Sequence, residues 1–266
     1  MEPPPIAITI AGSDSSAGAG IQADLKTFTY FHVFGQSVIT CVVAEVPGKV
    51  ETIQAVSVRV VQDQLRLSLE NYPVRSIKTG MLYSKEIISA VCDILEAIPS
   101  QERPPIVVDP VMVASAGDPL LEPDAIAAYR DRLFPLATVV TPNLYEAEVI
   151  CGHKIQSFTQ LADAGAALVR SFGSAFLLKG GHLPSDLATD FLVTKSSTIS
   201  LVEQFVEAGT THGTGCTLSA ALAAGLALGD DLEGAARRAK VFIARAISQA
   251  ITWHGRHGAI SALKQW

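Results

Sequence analysis

The 266-residue sequence has few of the features that mark a membrane or nucleic-acid-binding protein. Its longest apolar run, within residues 217–228, is shorter than the roughly 20 residues that a transmembrane helix needs. The 20 lysines and arginines are scattered and are outnumbered by 26 acidic residues, so no basic face for nucleic acid is indicated. The start of the chain shows no basic region followed by a cleavage pattern, and we expect a cytoplasmic protein.

Paired cysteines are also lacking. Cys41, Cys92, Cys151 and Cys216 are far apart, and the sequence has neither a CxxC pair nor a histidine at zinc-ligand spacing. We therefore expect neither a disulfide framework nor structural zinc, and we expect three of the four to be small core residues. Cys216 differs because it stands where a glycine-rich turn meets a helix.

Hydrophobic residues are plentiful, at 48% of the chain, and apolar runs alternate with helical patterns. Strands are predicted at 6–10, 37–44, 76–80, 105–109, 138–141, 175–181 and 188–194. Helices are predicted near 20–31, 60–72, 84–98, 122–133, 143–151, 159–172, 215–228 and 231–249, with no strand after 208. This alternation predicts an α/β fold with a mostly parallel sheet, helices on both faces, and ligands at the carboxyl ends of strands. No shift in composition marks a boundary, so one domain is expected over residues 1–266.

The segment GAGIQA, residues 18–23, matches the GxGxxA pattern of dinucleotide-binding loops. Residues 12–17 separate it from the preceding strand and no acidic residue follows at the required distance, so a dinucleotide site is not favoured. The loop GSDSSAGAG either connects strand and helix flexibly or wraps a small ligand with backbone amides while Asp24 orients that ligand. Asp24 could instead be a first-turn carboxylate stabilised by the helix dipole.

THGTGC, residues 211–216, leads into an apolar helix. Gly213 and Gly215 let the amides of the turn point into the helix mouth, which favours an anion or a transferring phosphoryl group. A turn that only permits helix packing is the alternative. The helix dipole is expected to favour the Cys216 thiolate, which could be a nucleophile, a base or inert. His212 keeps a Cys/His acyl-transfer site open as a further alternative.

Polar residues follow three other strands. VVDPVM presents Asp109 at the end of a buried strand, and TPNLYEAE places Asn143 and Glu146 on one helix face. Carboxylates of this kind suit Mg²⁺ together with substrate phosphates, whereas the alternative for Asn143 and Glu146 is a capping box. Lys179 follows AFLL and precedes two glycines, which fits either a phosphate contact or a solvated loop lysine.

In this order and spacing, AGSDSSAGAGIQADLKT, KTGML, VVDPVM, TPNLYEAE, LLKGGH and THGTGCTLSAA closely resemble the hydroxymethylpyrimidine and phosphomethylpyrimidine kinases of thiamin biosynthesis. The resemblance runs from about residue 6 to 250 and implies a three-layer αβα fold of the ribokinase-like superfamily. It also implies that the protein is a homodimer. The same resemblance implies ATP- and Mg²⁺-dependent phosphorylation of 4-amino-5-hydroxymethyl-2-methylpyrimidine and then of its monophosphate. The second step gives the diphosphate that is coupled to the thiazole half of thiamin.

The resemblance assigns roles to single residues. The anion hole is expected at Gly213, Thr214 and Gly215, with Cys216 as the general base and Lys179 on the transferring phosphate. Asp109 and Glu146 are expected to organise Mg²⁺ around the nucleotide, which Asn143, Lys179 and Thr214 contact. The residues expected to line the pyrimidine pocket are Gly12, Asp24, Glu45, Met81, Val111 and His212.

One position departs from the family pattern, which reads TAQN where this chain reads VAEV. Glu45 therefore stands where glutamine pairs with the pyrimidine amino edge, and an ionised glutamate accepts hydrogen bonds but donates none. We expect specificity to be retained through a raised Glu45 pKa or a protonated ring. Glu45 also keeps a pyridoxal or pyridoxine kinase open as an alternative. A non-catalytic pyrimidine or nucleotide sensor is the alternative from another functional class. The segment ASAGDP, residues 114–119, is a candidate flap over the site.

Overall fold

A nine-stranded sheet forms the centre of the protein. The computed structural model describes residues 2–112, 123–206, 212–256 and 258–266. The strands of the sheet are β1 (Ile6–Asp14), β2 (Phe34–Val46), β3 (Lys49–Ala55), β4 (Val74–Thr79), β5 (Ile106–Val108), β6 (Val139–Val140), β7 (Ala175–Lys179), β8 (Leu187–Val193) and β9 (Thr198–Gln204).

The spatial order of the sheet is β3-β2-β1-β4-β5-β6-β7-β8-β9. The strands from β2 through β7 in this order pair in parallel, whereas β3 at one edge and β8 and β9 at the other pair antiparallel. The predicted mostly parallel sheet is thus confirmed. Because parallel strands share one direction, the residues that follow β1, β4, β5, β6 and β7 meet at a single edge.

The helices are α1 (Gly20–Tyr30), α2 (Val58–Asn71), α3 (Lys85–Glu96), α4 (Pro123–Ala128), α5 (Phe134–Leu136), α6 (Leu144–Cys151), α7 (Phe158–Phe172), α8 (Thr214–Leu228) and α9 (Leu232–Ser248). A π-helical turn, Tyr129–Leu133, joins α4 to α5. Side-chain caps at Ser84, Asn143, Ser157 and Asp231 begin four of them by accepting backbone N–H groups that lack a partner inside the helix. None of the helices in the described ranges is long and apolar enough to span a membrane.

Two apolar clusters cover the two faces of the sheet. One contains residues of α2, α3, α6 and α7, and the other contains residues of α1, α8 and α9. Strand β5 contributes Ile106 and Val108 to the first cluster and Val107 to the second, as the two-residue period of a strand requires. The chain therefore folds into the three layers that the resemblance implies.

The structure corrects the expectation of no strand after residue 208. A hairpin of β10 (Ile251–Gly255) and β11 (Gly258–Ala262) follows α9 and pairs outside the main sheet. Strands β3 and β9 also escaped prediction, because they are largely exposed and carry polar residues where a buried strand would be apolar. The candidate flap at 114–119 lies outside the described residues.

Candidate active site

Two charged clusters lie at the edge of the sheet where the parallel strands end. The first, the Asp109 cluster, consists of Asp109, Glu146 and Lys179. The second, the Asp14 cluster, consists of Asp14, Glu45 and His212, whose oxygen and nitrogen atoms all lie within 4.8 Å of one another. Both clusters contain residues from segments that are remote in the sequence, so the fold alone brings them together.

Asp109 is the centre of its cluster and is buried, with 2% of its surface exposed. Its Oδ1 accepts from Lys179 Nζ at 3.2 Å, and its Oδ2 accepts from the Ser219 hydroxyl of α8 at 3.2 Å. Burial opposes the charge of Lys179, but Asp109 and Glu146 outweigh this effect and raise the lysine pKa. Lys179 is therefore a fixed cation held among carboxylates.

Glu146 serves a structural purpose in addition to any role in catalysis. Its Oε2 accepts from the backbone N–H of Asn143 at 2.8 Å while Asn143 Oδ1 accepts from the N–H of Glu146 at 2.9 Å, which confirms the capping box. Burial is the main cause that raises the pKa of Glu146 to about 7, with Lys179 opposing it and Asp109 adding to it. Asp109 and Glu146 are thus two buried carboxylates that both interact with Lys179.

The glycine turn before α8 lies directly against the Asp109 cluster. A Cβ on Gly215 would lie 3.2 Å from Lys179 Nζ and 3.5 Å from Asp109 Oδ2. Gly213 has a φ of 81°, and a Cβ there would lie 2.0 Å from the Gly18 carbonyl oxygen. Gly213 therefore requires glycine, whereas a Cβ at Gly215 would fit only if Lys179 moved slightly. The first turn of α8, which includes Thr214, reaches the lysine and the aspartate.

Cys216 is half-buried in the first turn of α8. Burial raises the pKa of its thiol to about 11, although the charge of Lys78 and the N–H of Gly20 both lower it. The expectation that the helix dipole favours the thiolate is wrong for the protein in this form, because desolvation of the sulfur outweighs the dipole. His212 Nε2 lies 3.0 Å from Asp14 Oδ2, so this ring nitrogen faces a carboxylate, which does not favour a Cys/His acyl-transfer site.

Asp14 occupies the loop that we expected to wrap a ligand. Its carboxylate accepts the backbone N–H groups of Ser16, Gly18 and Ala19 at 2.6, 3.1 and 2.8 Å. The loop amides therefore bind the protein's own carboxylate, which corrects the expectation that they cradle a ligand. Burial raises the pKa of Asp14, but His212 and these donors lower it well below its usual range.

Glu45 is the member of the Asp14 cluster that lies on β2. The Ser15 hydroxyl holds its backbone, donating to the Glu45 carbonyl at 3.0 Å and accepting from its N–H at 2.9 Å. Burial raises the Glu45 pKa and Asp14 raises it further, while His212 lowers it. The raised pKa that we predicted for Glu45 is present.

The remaining pocket residues differ in their exposure. Gly12 is buried, and a Cβ there would lie 2.8 Å from Cys41 Sγ. Met81 and Val111 are half-buried, and the Met81 carbonyl accepts from the Thr40 hydroxyl at 2.7 Å. None of the three supplies a charge, and their place in a pyrimidine pocket stays a prediction.

Asp24 does not lie where we expected it. Its side chain is fully buried, and its oxygens accept from Lys78 Nζ at 2.9 and 2.8 Å and from the Thr9 hydroxyl at 2.5 Å. With both oxygens engaged behind the pocket, Asp24 does not directly orient a ligand. The first-turn alternative is also wrong, because α1 begins at Gly20 and Asp24 lies in its second turn. Sequence reasoning missed Lys78, whose signal was a lysine inside a buried strand.

Comparison with known proteins gives a consistent result. The family model described as phosphomethylpyrimidine kinase matches residues 14–261. The hydroxymethylpyrimidine/phosphomethylpyrimidine kinase of Rhizobium meliloti (strain 1021) is 45% identical over 246 residues, covering 92% of this chain and 91% of that protein.

Two solved structures of small-molecule kinases are similar to this chain over most of its length. The phosphomethylpyrimidine kinase from Clostridium difficile 630 has a TM-score of 0.80 at 37% identity, covering 91% of this chain and 99% of that one. The pyridoxal kinase from Staphylococcus aureus, solved with AMP-PCP and pyridoxal, has a TM-score of 0.87 at 33% identity, covering 98% and 93%.

Proposed function

The chain belongs to the phosphomethylpyrimidine kinase family, and from this membership we propose that it phosphorylates 4-amino-5-hydroxymethyl-2-methylpyrimidine and then its monophosphate with ATP, in thiamin diphosphate biosynthesis. The fold is ribokinase-like. The observation that carries the proposal is the meeting of a fixed lysine, a buried aspartate and the glycine turn of α8 within a few ångströms. The ATP analogue bound to the pyridoxal kinase neighbour supports ATP as the donor.

The proposed mechanism is in-line transfer assisted by positioning and charge. The γ-phosphoryl group lies over the backbone amides of residues 213–216, where the start of α8 stabilises negative charge. Lys179 neutralises the transferring oxygens, and the substrate hydroxyl approaches from the side of Cys216. Its oxygen bonds to the γ-phosphorus as the bond to the β-phosphate oxygen breaks, ADP leaves, and the hydroxyl proton passes to solvent. Because the transition state for phosphoryl transfer is loose, general-base catalysis adds little to the rate. The Cys216 thiol, which is protonated at neutral pH, therefore contributes only modestly to catalysis.

The family resemblance implies Mg²⁺, and the residues present fit that ion. Asp109 and Glu146 offer carboxylate oxygens, and their mutual repulsion, which contributes to the raised pKa of Glu146, favours a cation beside them. We propose that these two residues hold Mg²⁺, with Asn143 beside them on the nucleotide. When bound, the ion would offset charge on the phosphate oxygens.

We further propose one kinase domain over residues 1–266 that acts as a cytoplasmic homodimer. The continuous sheet from β1 to β9 supports a single domain. Apolar side chains left exposed on β2 and β3 support association between two copies; they are Phe34, Val42, Val46 and Val50. No nucleic-acid or membrane partner is proposed.

The test is ATP consumption by the purified protein with four acceptor conditions: hydroxymethylpyrimidine, its monophosphate, pyridoxal, and none. We expect consumption with the first two that is abolished in Lys179→Met and retained in Lys195→Met, because Lys195 is exposed and far from the site. Consumption with pyridoxal alone would make the protein a pyridoxal kinase. Binding of the pyrimidine without consumption would favour a sensor.

A further inference from the structure

The segment that follows β11 returns to the active site from outside. Leu263 is 1% exposed and packs in the cluster of α8 and α9, and the Lys264 N–H donates to the Ala246 carbonyl of α9 at 3.1 Å. These contacts fix the backbone on either side of the next residue. Gln265 is therefore presented from a rigid support.

The side-chain amide of Gln265 joins two loops of the site. Gln265 is 1% exposed, and its Nε2 donates to the Gly18 carbonyl at 3.0 Å and to the Thr217 hydroxyl at 2.8 Å. An amide nitrogen carries two hydrogens, so both are used. Gly18 belongs to the loop that surrounds Asp14. Thr217 lies in the first turn of α8 and directly follows Cys216.

The loop around Asp14 and the turn before α8 pack closely against each other. A Cβ on Gly213 would lie 2.0 Å from the Gly18 carbonyl oxygen, and a Cβ on Gly18 would lie 2.7 Å from the His212 ring. The Gly18 carbonyl is thus enclosed between the α8 turn and Gln265. We therefore expect the hydrogen bond from Gln265 to determine the position of the Gly18 carbonyl.

A second contact holds the same loop from its other side. Lys26 Nζ donates to the Ala17 carbonyl at 2.7 Å, and the same ammonium lies 5.5 Å from the centre of the Trp266 ring. Ala17 has a φ of 59°, which a non-glycine residue adopts only when its surroundings enforce it. Neighbouring residues of one segment therefore support both Ala17 and Gly18.

We propose that Gln265 is a positioning residue for phosphoryl transfer, which sets the α8 turn against the loop around Asp14. The proposal rests on the proposed kinase function. Gln265 acts through Gly18 and Thr217, both of which adjoin the groups that we place around the substrate and the phosphoryl group.

The loss of Gln265 is expected to affect turnover more than binding. Removal of its donors leaves two buried acceptors without a partner, and the two loops must shift to satisfy them. A displacement of about 1 Å at the amides that stabilise the transition state can lower a rate by about 100-fold. Ground-state contacts with the pyrimidine ring and with ATP depend less on this alignment.

The first experiment compares Gln265→Leu with Gln249→Leu, because Gln249 is an exposed glutamine that follows α9. We expect kcat to fall about 10- to 100-fold in Gln265→Leu while both KM values stay within about threefold. Gln249→Leu should match the wild type. Thr217→Val should lower kcat in the same way, and the double variant should lose little more, because both changes remove one connection. Additive losses would overturn the proposal.

The second experiment does not depend on activity. Hydrogen exchange of amides in residues 14–20 and 213–217 should be faster in Gln265→Leu than in Gln249→Leu, with the amides of α3 unchanged in both. Unchanged exchange in both loops would overturn the proposal even if activity fell. An inactive wild type with accelerated exchange in the variant would instead contradict the kinase function and leave the connection between the loops standing.

If Gln265→Leu does not fold, Gln265→Glu replaces it, because glutamate has the same shape. An ionised carboxylate cannot donate to the Gly18 carbonyl, whereas a protonated one can. We expect kcat relative to the wild type to recover as the pH falls. A pH-independent ratio would overturn the proposal.

Discussion

The two charged clusters at the edge of the sheet use similar residues in different ways. In the Asp14 cluster, loop amides and His212 satisfy Asp14, and burial together with Asp14 raises the pKa of Glu45. In the Asp109 cluster, two buried carboxylates face a single lysine, so negative charge remains in excess. The protein itself therefore compensates the charge of Asp14, whereas we propose that the ligands of the kinase reaction compensate the charge of the Asp109 cluster. Changes in the Asp109 cluster should therefore act on kcat, and changes at Glu45 on KM.

The largest effect is expected for Lys179→Met. The variant leaves two carboxylates facing each other without their cation and removes a positive charge from the transferring phosphoryl group. We expect kcat/KM to fall by about 10³-fold or more, in the range that charge stabilisation of this transition state provides. Steady-state ATP consumption with hydroxymethylpyrimidine measures it, and Lys195→Met is the control. A loss below about tenfold would remove the phosphate role from Lys179.

The next largest effect is expected for Gly215→Ala. The added methyl group would lie 3.2 Å from Lys179 Nζ and 3.5 Å from Asp109 Oδ2, which is tight enough to displace the lysine. We expect kcat to fall by up to about 100-fold, because a displaced Lys179 is misaligned with the transferring phosphoryl group, with little change in the KM of the pyrimidine. Gly181→Ala is the matched control, because a Cβ there meets no atom within 4 Å. Equal kinetics for the two variants would show that the turn does not contact the reacting group.

A smaller effect is expected for Cys216→Ala. The thiol is protonated at neutral pH because burial raises its pKa to about 11, so it is a poor base before substrate binds. We expect kcat to fall by about tenfold or less, since a loose transition state needs little proton transfer. The pH profile of kcat should keep its shape in the variant. A loss of more than about 10³-fold would restore Cys216 as an essential base.

The sequence predicted the Asp109 cluster better than the Asp14 cluster, and the reason is physical. Asp109 directly follows β5, Lys179 ends β7 and Glu146 lies in the first turn of α6, so short local patterns identify them. Asp14 is paired with His212, which is 198 residues away in the sequence, and Lys78 is paired with Asp24, which is 54 residues away. Such pairs leave no local pattern.

Helices and strands were likewise predicted where the local sequence carries a clear pattern. The parallel strands are apolar and largely buried, so their periodicity was sufficient. Strands β3, β10 and β11 are short and largely exposed, so burial leaves no regular apolar pattern in them. The Cys216 thiolate was mispredicted because the helix dipole can be deduced from the sequence but the degree of burial cannot. Gln265 carried no signal, since a single glutamine near a hairpin is ordinary until its partners are known.

The smallest effect, and the one that best tests the comparison, is expected for Glu45→Gln. Burial and Asp14 raise the Glu45 pKa, so the folded protein retains this proton to a higher pH than an unfolded chain would. Protonated Glu45 can donate to the ring nitrogen of the pyrimidine, and ionised Glu45 cannot. As the pH rises through the raised pKa, the KM of the wild type for hydroxymethylpyrimidine should therefore increase, whereas glutamine keeps its donor throughout.

At low pH the two proteins should have similar KM values, and at high pH Glu45→Gln should have the lower value, by about 2- to 12-fold for one hydrogen bond. Stability follows the same sign: between the ordinary and the raised pKa the folded state holds more protons, so the wild type loses stability as the pH rises and the variant does not. Glu51→Gln is the control, because Glu51 is exposed on β3. An unchanged KM profile in Glu45→Gln would contradict the donor role, and a change confined to kcat would contradict the division of labour between the two clusters.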